Sequence, residues 1–207
     1  MNKFLVGLSI CLIAIGAYAA PKLPSNTDAS KKPKSARDTY YSSGYYLGLN
    51  LGQTRAELPN RAGYSAQTTS FAVSTFFGYD FNHYLAVELG YLYLPDHGYT
   101  SSTQSDINIS NHGIVTNVLG KYPIGAGLSI YGKLGGALLT ARETEPGQAA
   151  QSQDATVLAY GGGIDYVFAN IGGLHINLDY YHTNQGKTNT VPVPAENIAT
   201  IGIRYQF

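Results

Sequence analysis

Seven charged side chains recur inside alternating apolar segments, and the chemistry open to them is ion pairing in a space closed to water. Four are carboxylates and three are cations: Asp80, Glu88, Asp165 and Asp179, with Lys121, Lys133 and Arg204. Each has the parity opposite to the apolar residues of its segment, and Lys121 has it if Tyr122 takes the apolar side. Because a buried charge is costly unless it is paired, we expect these groups to face one another.

Nucleophilic catalysis is a second chemistry that the residue types could support. It needs a hydroxyl or thiol beside a base that a third group orients. His182-Thr183-Asn184 and the stretch from Ser110 to His112 hold such types, but neither forms a catalytic signature. We predict no catalytic residue. We also predict no cofactor or metal, because the five His residues lack ligand spacing and no phosphate-binding loop or nucleic-acid motif is present.

The elements that must position the charges are strands, since alternation with period two begins at Gly44 and continues to the end. In the first segment Leu47, Leu49 and Leu51 share one face, while glycine and asparagine share the other. Eight segments are predicted: 44–54, a hairpin through Phe81-Asn82-His83 that supplies the second and third, 112–122, 128–140, 156–168, 174–182, and 198 to the end.

Connections between the segments alternate in length. Three short turns lie at 81–83, 123–127 and 169–173, and four long polar stretches at 55–68, 95–111, 141–155 and 183–197. Short periplasmic turns and long cell-surface loops are typical of outer membrane barrels. The long stretches should form a mildly acidic outer surface, with Glu57, Asp96, Asp106, Glu143, Glu145, Asp154 and Glu196 against Arg55, Arg61, Arg142 and Lys187.

The first 43 residues precede the alternating region. Residues 1–19 have a positive start, an apolar run and an Ala17-Tyr18-Ala19 cleavage site, which predict a secretory signal peptide. Residues 20–43 form a basic stretch with Pro and Ser that we interpret as a flexible leader. Residues 44–207 then form the barrel, without cysteine and without an apolar run of the roughly 20 residues that a spanning helix needs.

Aromatic residues cluster near both ends of the segments, where interfacial girdles would anchor a barrel between hydrocarbon and water. The predicted girdle residues are Tyr79, Tyr91, Tyr93, Tyr122, Tyr166, Phe168, Tyr180 and Tyr205. The last segment, IATIGIRYQF, places Ile203, Tyr205 and Phe207 on one face, and we interpret these three residues as an assembly signal. The predicted fold is an all-β, closed, eight-stranded antiparallel up-and-down transmembrane β-barrel. Parity alone would also suit a soluble sandwich; the signal peptide, loop asymmetry and last segment favour the barrel.

Several stretches resemble the OmpA transmembrane-domain family: YYLGLNLG, FFGYDFNHYLAVELGYLYL, KYPIGAGLSIYGKLGGALL, YGGGIDYVFANIGGLHINLDYYHTN and IGIRYQF. The resemblance implies interior charges that plug or gate a narrow lumen. It matches Glu88 and Asp179 to interior acids and Lys133 to an interior base. Arg204 departs from the pattern, because the family's base aligns with Gln206. The family's archetype continues into a peptidoglycan-binding domain, which we do not expect here.

The function expected from these features is a structural and surface-interaction protein of the Gram-negative outer membrane. A narrow gated ion channel is the alternative, and a lipid A-modifying barrel enzyme is a remote one. Expected partners are outer membrane lipids and lipopolysaccharide, the barrel assembly machinery, and host or phage surface ligands, without nucleic acid. Among loop residues, Tyr64 and Tyr99 are the candidates for stacking on carbohydrate.

Overall fold

The computed structural model describes residues 43–207 except 61, 103–104, 169–170 and 187–192. The predicted signal peptide and all but the last residue of the predicted leader lie outside the described residues. No helix in the described part of the chain is both long and apolar enough to cross a membrane.

Nine strands form within the described residues, and the first one begins where the alternation begins. They are β1 (Gly44–Glu57), β2 (Ser65–Gln67), β3 (Thr69–Asp80), β4 (Leu85–Thr100), β5 (Ile107–Gly125), β6 (Leu128–Thr144), β7 (Gln151–Val167), β8 (Leu174–Thr183) and β9 (Ala195–Gln206). Eight of them close a barrel, which confirms the predicted fold.

The barrel closes because its first and last strands, β1 and β9, pair with each other. The order β4-β3-β1-β9-β8-β7-β6-β5 is completed by a β4–β5 pairing, and all pairs are antiparallel. β1 pairs with β9 from Tyr46 opposite Gln206 to Glu57 opposite Ala195. The short β2 lies outside this circle and pairs with the far end of β4. The barrel therefore has no open edge along its main body.

The two faces of each strand differ as the sequence predicts. On β9, Ile201, Ile203 and Tyr205 are about half exposed, whereas Arg204 and Gln206, which have the opposite parity, are buried. The other barrel strands repeat this alternation, with apolar side chains on the outer surface. This arrangement hides charged groups and exposes apolar ones, as expected for a protein whose solvent is lipid.

Four strands extend furthest beyond the bounds that the sequence predicts. β4, β5, β6 and β7 continue into the stretches 95–111 and 141–155, which were predicted as long loops, so those loop boundaries are wrong. Beyond Leu139, outward Thr140 and Arg142 alternate with inward Ala141, and the contrast that reveals a strand is lost. A bulge between Leu94 and His97 on β4 also reverses the parity there.

Interior glycines make room for interior rings. A Cβ at Gly48 would overlap the ring of Phe76, and one at Gly163 would overlap Tyr131. Both aromatic side chains can therefore lie across the narrow lumen, where an eight-stranded barrel has space only for side chains.

Candidate functional site

The lumen contains its charged groups in two layers near the short-turn end. In the lower layer, Arg204 Nε lies 3.2 Å from Asp165 Oδ1, and Arg204 Nη1 lies 3.6 Å from Asp80 Oδ2. Lys121 pairs with Asp80. His175 Nδ1 lies 2.8 Å from Asp165 Oδ2. These side chains come from five different strands, so their ion pairs link the walls of the barrel.

The second layer is centred on Asp179. Lys133 Nζ lies 3.0 Å from Asp179 Oδ1 and 3.7 Å from Glu88 Oε2. Tyr131 Oη and Asn50 Nδ2 donate hydrogen bonds to the Asp179 carboxylate at 2.5 and 3.0 Å. The carboxylate thus has several donors, which offset the cost of removing its charge from water.

Aromatic rings separate and support the two charged layers. Tyr46 donates a 3.1 Å hydrogen bond to Glu88 in the second layer. The guanidinium of Arg204 lies 4.6 Å from the centre of the same Tyr46 ring. Tyr46 therefore contacts both layers, and its burial leaves little space between them.

An apolar layer fills the lumen above the charges, toward the long loops. Its members come from strands all around the barrel and from the segment before β9. They are Ala72, Leu92, Leu94, Val115, Ala137, Leu139, Ala141, Ala155, Val157, Ala159, Tyr181, Val193 and Ile198. This layer was not predicted from the sequence, because the interior was expected to be lined by small and polar side chains. An apolar residue on the inward parity, such as Leu92, was the available signal.

A buried polar cluster lies at the loop end of the lumen. Glu196 is 0% exposed and accepts hydrogen bonds from Thr54 at 2.6 Å and from Asn111 at 2.9 Å. His97 Nε2 lies 3.6 Å from Glu196 Oε2. The prediction that Glu196 belongs to the outer surface is therefore wrong: β9 begins before it and turns its side chain inward.

Glu196 lies above the part of β9 that crosses the membrane, because the last outward aromatic row contains Tyr180, which is paired with Ala199. Outward residues beyond that row, such as Asn197 and Arg55, are polar. Burial raises the pKa of the Glu196 carboxyl to about 7, and the hydrogen bonds from Thr54 and Asn111 limit the rise. This carboxyl can gain or lose its proton near neutral pH.

Every residue predicted for the aromatic girdles has the outward parity of its strand, except that Phe168 lies just past the end of β7. Tyr91, Tyr93 and Tyr180 are exposed toward the loop end. Tyr122, Tyr166 and Tyr205 are exposed toward the short-turn end. Tyr79 and Phe168 are half-buried, because each packs against a neighbouring ring. Ile203, Tyr205 and Phe207 are exposed together along β9.

The residue types considered for catalysis are not brought together. His182 Nδ1 lies 2.9 Å from Asn197 Oδ1 on the outer side of β8, while Ser110 lies on β5. β6 and β7 separate these two strands. No group of three or more His, Cys, Asp or Glu side chains that could hold a metal occurs within the described ranges.

Tyr99 is not available for stacking on carbohydrate, contrary to the sequence interpretation. It is 4% exposed, donates a 2.7 Å hydrogen bond to Pro59 O and packs edge-on against Tyr64. The bulge before His97 explains the error, because it turns Tyr99 inward.

Other lumen residues were missed because they are uncharged or only weakly basic. His175, Asn50 and Asn177 bond to the acidic groups of the two charged layers. Their inward parity on β1 and β8 was the only signal in the sequence.

Comparison with known proteins identifies the family of this chain. Its model, described as the OmpA-like transmembrane domain, matches residues 41–207. Outer membrane protein A of Serratia marcescens is 28% identical over 218 residues, covering 100% of this chain and 56% of that protein. Outer membrane protein A of Salmonella typhi is 30% identical over 215 residues, with the same coverage of 100% and 56%. The chain thus spans little more than half the length of these relatives.

Solved structures share the fold. Neisserial surface protein A has a TM-score of 0.60 and 18% identity, with 81% of this chain and 99% of that chain covered. Ail of Yersinia pestis, in complex with the heparin analogue sucrose octasulfate, has a TM-score of 0.54 and 19% identity, with 80% and 99% covered. Both likenesses are in architecture.

Proposed function

We propose a function from one established premise: the chain belongs to the OmpA-like transmembrane domain family and is an eight-stranded β-barrel of the outer membrane. The proposed function is that of a closed barrel, which strengthens the outer membrane and carries strand extensions and loops that contact other surfaces. The short-turn end would face the periplasm and the loop end the exterior.

The observation that carries the proposal is the apolar layer. Leu92, Leu139 and Val157 enter it from three strands, and each is at least nine-tenths buried. An ion crossing this layer would lose its hydration without gaining polar partners, which costs many kcal/mol. A lumen filled in this way favours a structural role over conduction.

The charged layers support the same proposal. Each of the three lumen cations, Lys121, Lys133 and Arg204, lies within ion-pair distance of at least one carboxylate. Charges that satisfy one another hold the walls together and leave little free charge to attract a passing ion.

A gated channel is the second candidate, and one cavity favours it. A space of about 50 Å³ lies between Glu88, Lys133 and Asp179 and the apolar layer, where Leu92 and Val115 also line it. This is room for a few water molecules. In such a channel, Lys133 would shift its ion pair between Glu88 and Asp179 as the gating step. The same movement would also have to open the apolar layer.

The proposed contact surface is the sheet that extends above the membrane. Crossing a bilayer takes about 9–11 residues per strand, and β5 and β6 have 19 and 17. The extensions and their loops carry Asp106, Glu143, Glu145 and Asp154 against Arg142. This acidic balance favours a neutral or basic host, phage or neighbouring-cell ligand, so the sulfated ligand in the Ail structure is not extended to this chain.

Two further partners follow from the outward surface. Its exposed apolar residues require membrane lipids, and at the loop end these would include lipopolysaccharide. The outward row of Ile203, Tyr205 and Phe207 supports a proposal that β9 is recognised by the barrel assembly machinery.

Cysteine labelling tests the closed lumen and its orientation together. Two single-cysteine variants would be made in a Cys11→Ser background: Gln148→Cys in a loop and Ala137→Cys in the apolar layer. Each would be treated with a membrane-impermeant, charged thiol reagent. We expect Gln148→Cys to react in intact cells, and Ala137→Cys to react only after the purified barrel is unfolded. Equal reaction rates in the folded barrel would contradict a closed lumen, and a silent Gln148→Cys would contradict the orientation.

A further inference from the structure

The outer surface has a groove where β8, β9 and β1 leave the apolar band. Its volume is about 620 Å³, and its lining includes Gln53, Arg55, Glu57, Tyr180, Asn197 and Ala199. Ala199 is paired with Tyr180 on one side and with Gln53 on the other. The methyl group of Ala199 is much shorter than either neighbour, so it forms the floor of the groove.

The groove lies at one definite depth. One outward position closer to the barrel centre, the paired residues are Leu178, Ile201 and Leu51, which are all exposed and apolar. One outward position farther out, the pair is Asn197 and Arg55, and both are polar. The groove therefore spans the boundary between hydrocarbon and headgroups on the loop side.

Several polar side chains of the groove form hydrogen bonds with one another. Tyr180 donates a 2.9 Å hydrogen bond to Asn197 Oδ1, and Asn197 Nδ2 donates a 3.2 Å hydrogen bond to Glu57. His182 Nδ1 also lies 2.9 Å from Asn197 Oδ1. These contacts fix Asn197 and set the shape of one wall.

Arg55 differs from these residues. It is exposed, and its side chain forms no hydrogen bond or ion pair with any other described residue. Among the described residues, Arg55 and Arg142 are the two cations on the outer surface, and both lie toward the loop end. A guanidinium with free donors beside a preformed polar wall is suited to bidentate binding of a phosphate group.

We propose that this groove binds the phosphorylated sugar headgroup of an outer-leaflet glycolipid. Arg55 would hold the phosphate, and Gln53, Asn197 and Glu57 would bond to sugar hydroxyls. The ring of Tyr180 would pack where the sugar meets the acyl chains. The inference rests on the proposed orientation, in which the loop end faces the outer leaflet. Glu57 repels a phosphate placed beside it, so the phosphate must lie on the Gln53 side of Arg55.

The test uses the full-length barrel, purified after export and inserted into phosphatidylcholine nanodiscs. Each disc would also hold one probe lipid: bisphosphorylated lipid A, the same lipid without phosphates, or phosphatidylglycerol. Native mass spectrometry would report how much probe stays bound. Arg55→Gln is the variant, and Arg142→Gln is the matched control, since it removes an outward arginine outside the groove.

We expect bisphosphorylated lipid A to bind most tightly, Arg55→Gln to weaken it by at least about tenfold, and Arg142→Gln to change it less than about twofold. Equal binding by Arg55→Gln, equal loss in Arg142→Gln, or equally tight phosphatidylglycerol would each overturn the proposal. Competition by free inorganic phosphate at millimolar concentration would also overturn it, because the groove would then be an anion site. Labelling of Gln148→Cys in intact cells reports the orientation separately, so failure of the lipid site is distinguishable from failure of the proposed function.

Discussion

Lys133 on β6 lies 3.0 Å from Asp179 on β8, with only 8% and 5% of the two side chains exposed. β7 lies between these strands, so the ion pair spans β7 on the inner side of the barrel and links two strands that do not pair with each other. Glu88 on β4 approaches the same ammonium from a third direction at 3.7 Å. The ammonium group of Lys133 therefore links β6 to both β4 and β8.

Replacing Lys133 with Gln should strongly destabilise the barrel. The change leaves Glu88 and Asp179 as buried carboxylates without their cation, which typically costs about 3–5 kcal/mol. Urea unfolding in lipid vesicles would measure the loss. Asp154→Asn is the control, because Asp154 is exposed and accepts a 2.7 Å hydrogen bond from Thr140, and the change should cost less than about 1 kcal/mol. Equal stability of Lys133→Gln and the wild type would show that the pairing contributes nothing.

The Glu196 cluster should make stability depend on pH. The fold raises the pKa of this acid from 4.5 to about 7, so it favours the protonated form. Its contribution is fully present below pH 4.5 and is lost as the pH rises to about 7, by about 3 kcal/mol in all. Unfolding free energies of wild type and Glu196→Gln at pH 4, 6 and 8 would give the difference.

Glu196→Gln should lose this slope, since its amide has no proton to exchange in that range. His97 faces the same carboxyl from β4, and Thr54 and Asn111 face it from β1 and β5. Of these three, only His97 has an ionisable side chain, so His97→Gln is the matched control and should retain the downward slope. A slope shared by wild type and Glu196→Gln would assign the pH effect to another group.

A lysine on the outer surface should be costly in proportion to its depth. Leu49 and Gln53 share the outward face of β1, but Leu49 lies near the middle of the apolar band and Gln53 at its edge. Leu49→Lys should cost about 2–4 kcal/mol and Gln53→Lys about 0–1 kcal/mol. Unfolding in vesicles measures both. Similar costs would mean that the apolar face does not meet lipid.

Trimming the apolar layer should open a path for ions. Leu92→Ala and Leu139→Ala together would remove bulk from the layer at two strands, β4 and β6, and leave the charged layers intact. We expect the double variant to pass small cations across vesicle membranes faster than the wild type. Different migration of heated and unheated protein on a detergent gel would show that it still folds. If the folded variant passes cations no faster than the wild type, the apolar layer is not the barrier to ions.

The sequence predicted the membrane-crossing half of the barrel well, because lipid imposes a strict alternation there. Val87 and Glu88 show this: a charge can be tolerated only on the inward side, so the order of residues reveals the face. Above the membrane both faces can be polar, and the alternation carries no such information. Glu196 and the extensions of β6 and β7 were misassigned for that reason.

The site was predictable only in part. Inward parity identified the charged residues, but it could not say which partners meet across the lumen, since that depends on the stagger between strands. Asp80, for example, pairs with both Lys121 and Arg204. Asp179 accepts a hydrogen bond from Asn50 on β1. The apolar layer was missed because an inward leucine such as Leu94 breaks the alternation that identifies a barrel strand.

Single-channel recording in planar bilayers tests the closed lumen most directly. With the wild-type barrel inserted, a closed lumen should give current at the level of the bare bilayer, and the Leu92→Ala and Leu139→Ala double variant should give brief openings. Frequent openings of the wild type that change in size or duration with Lys133→Gln would contradict it, and would make the barrel a channel.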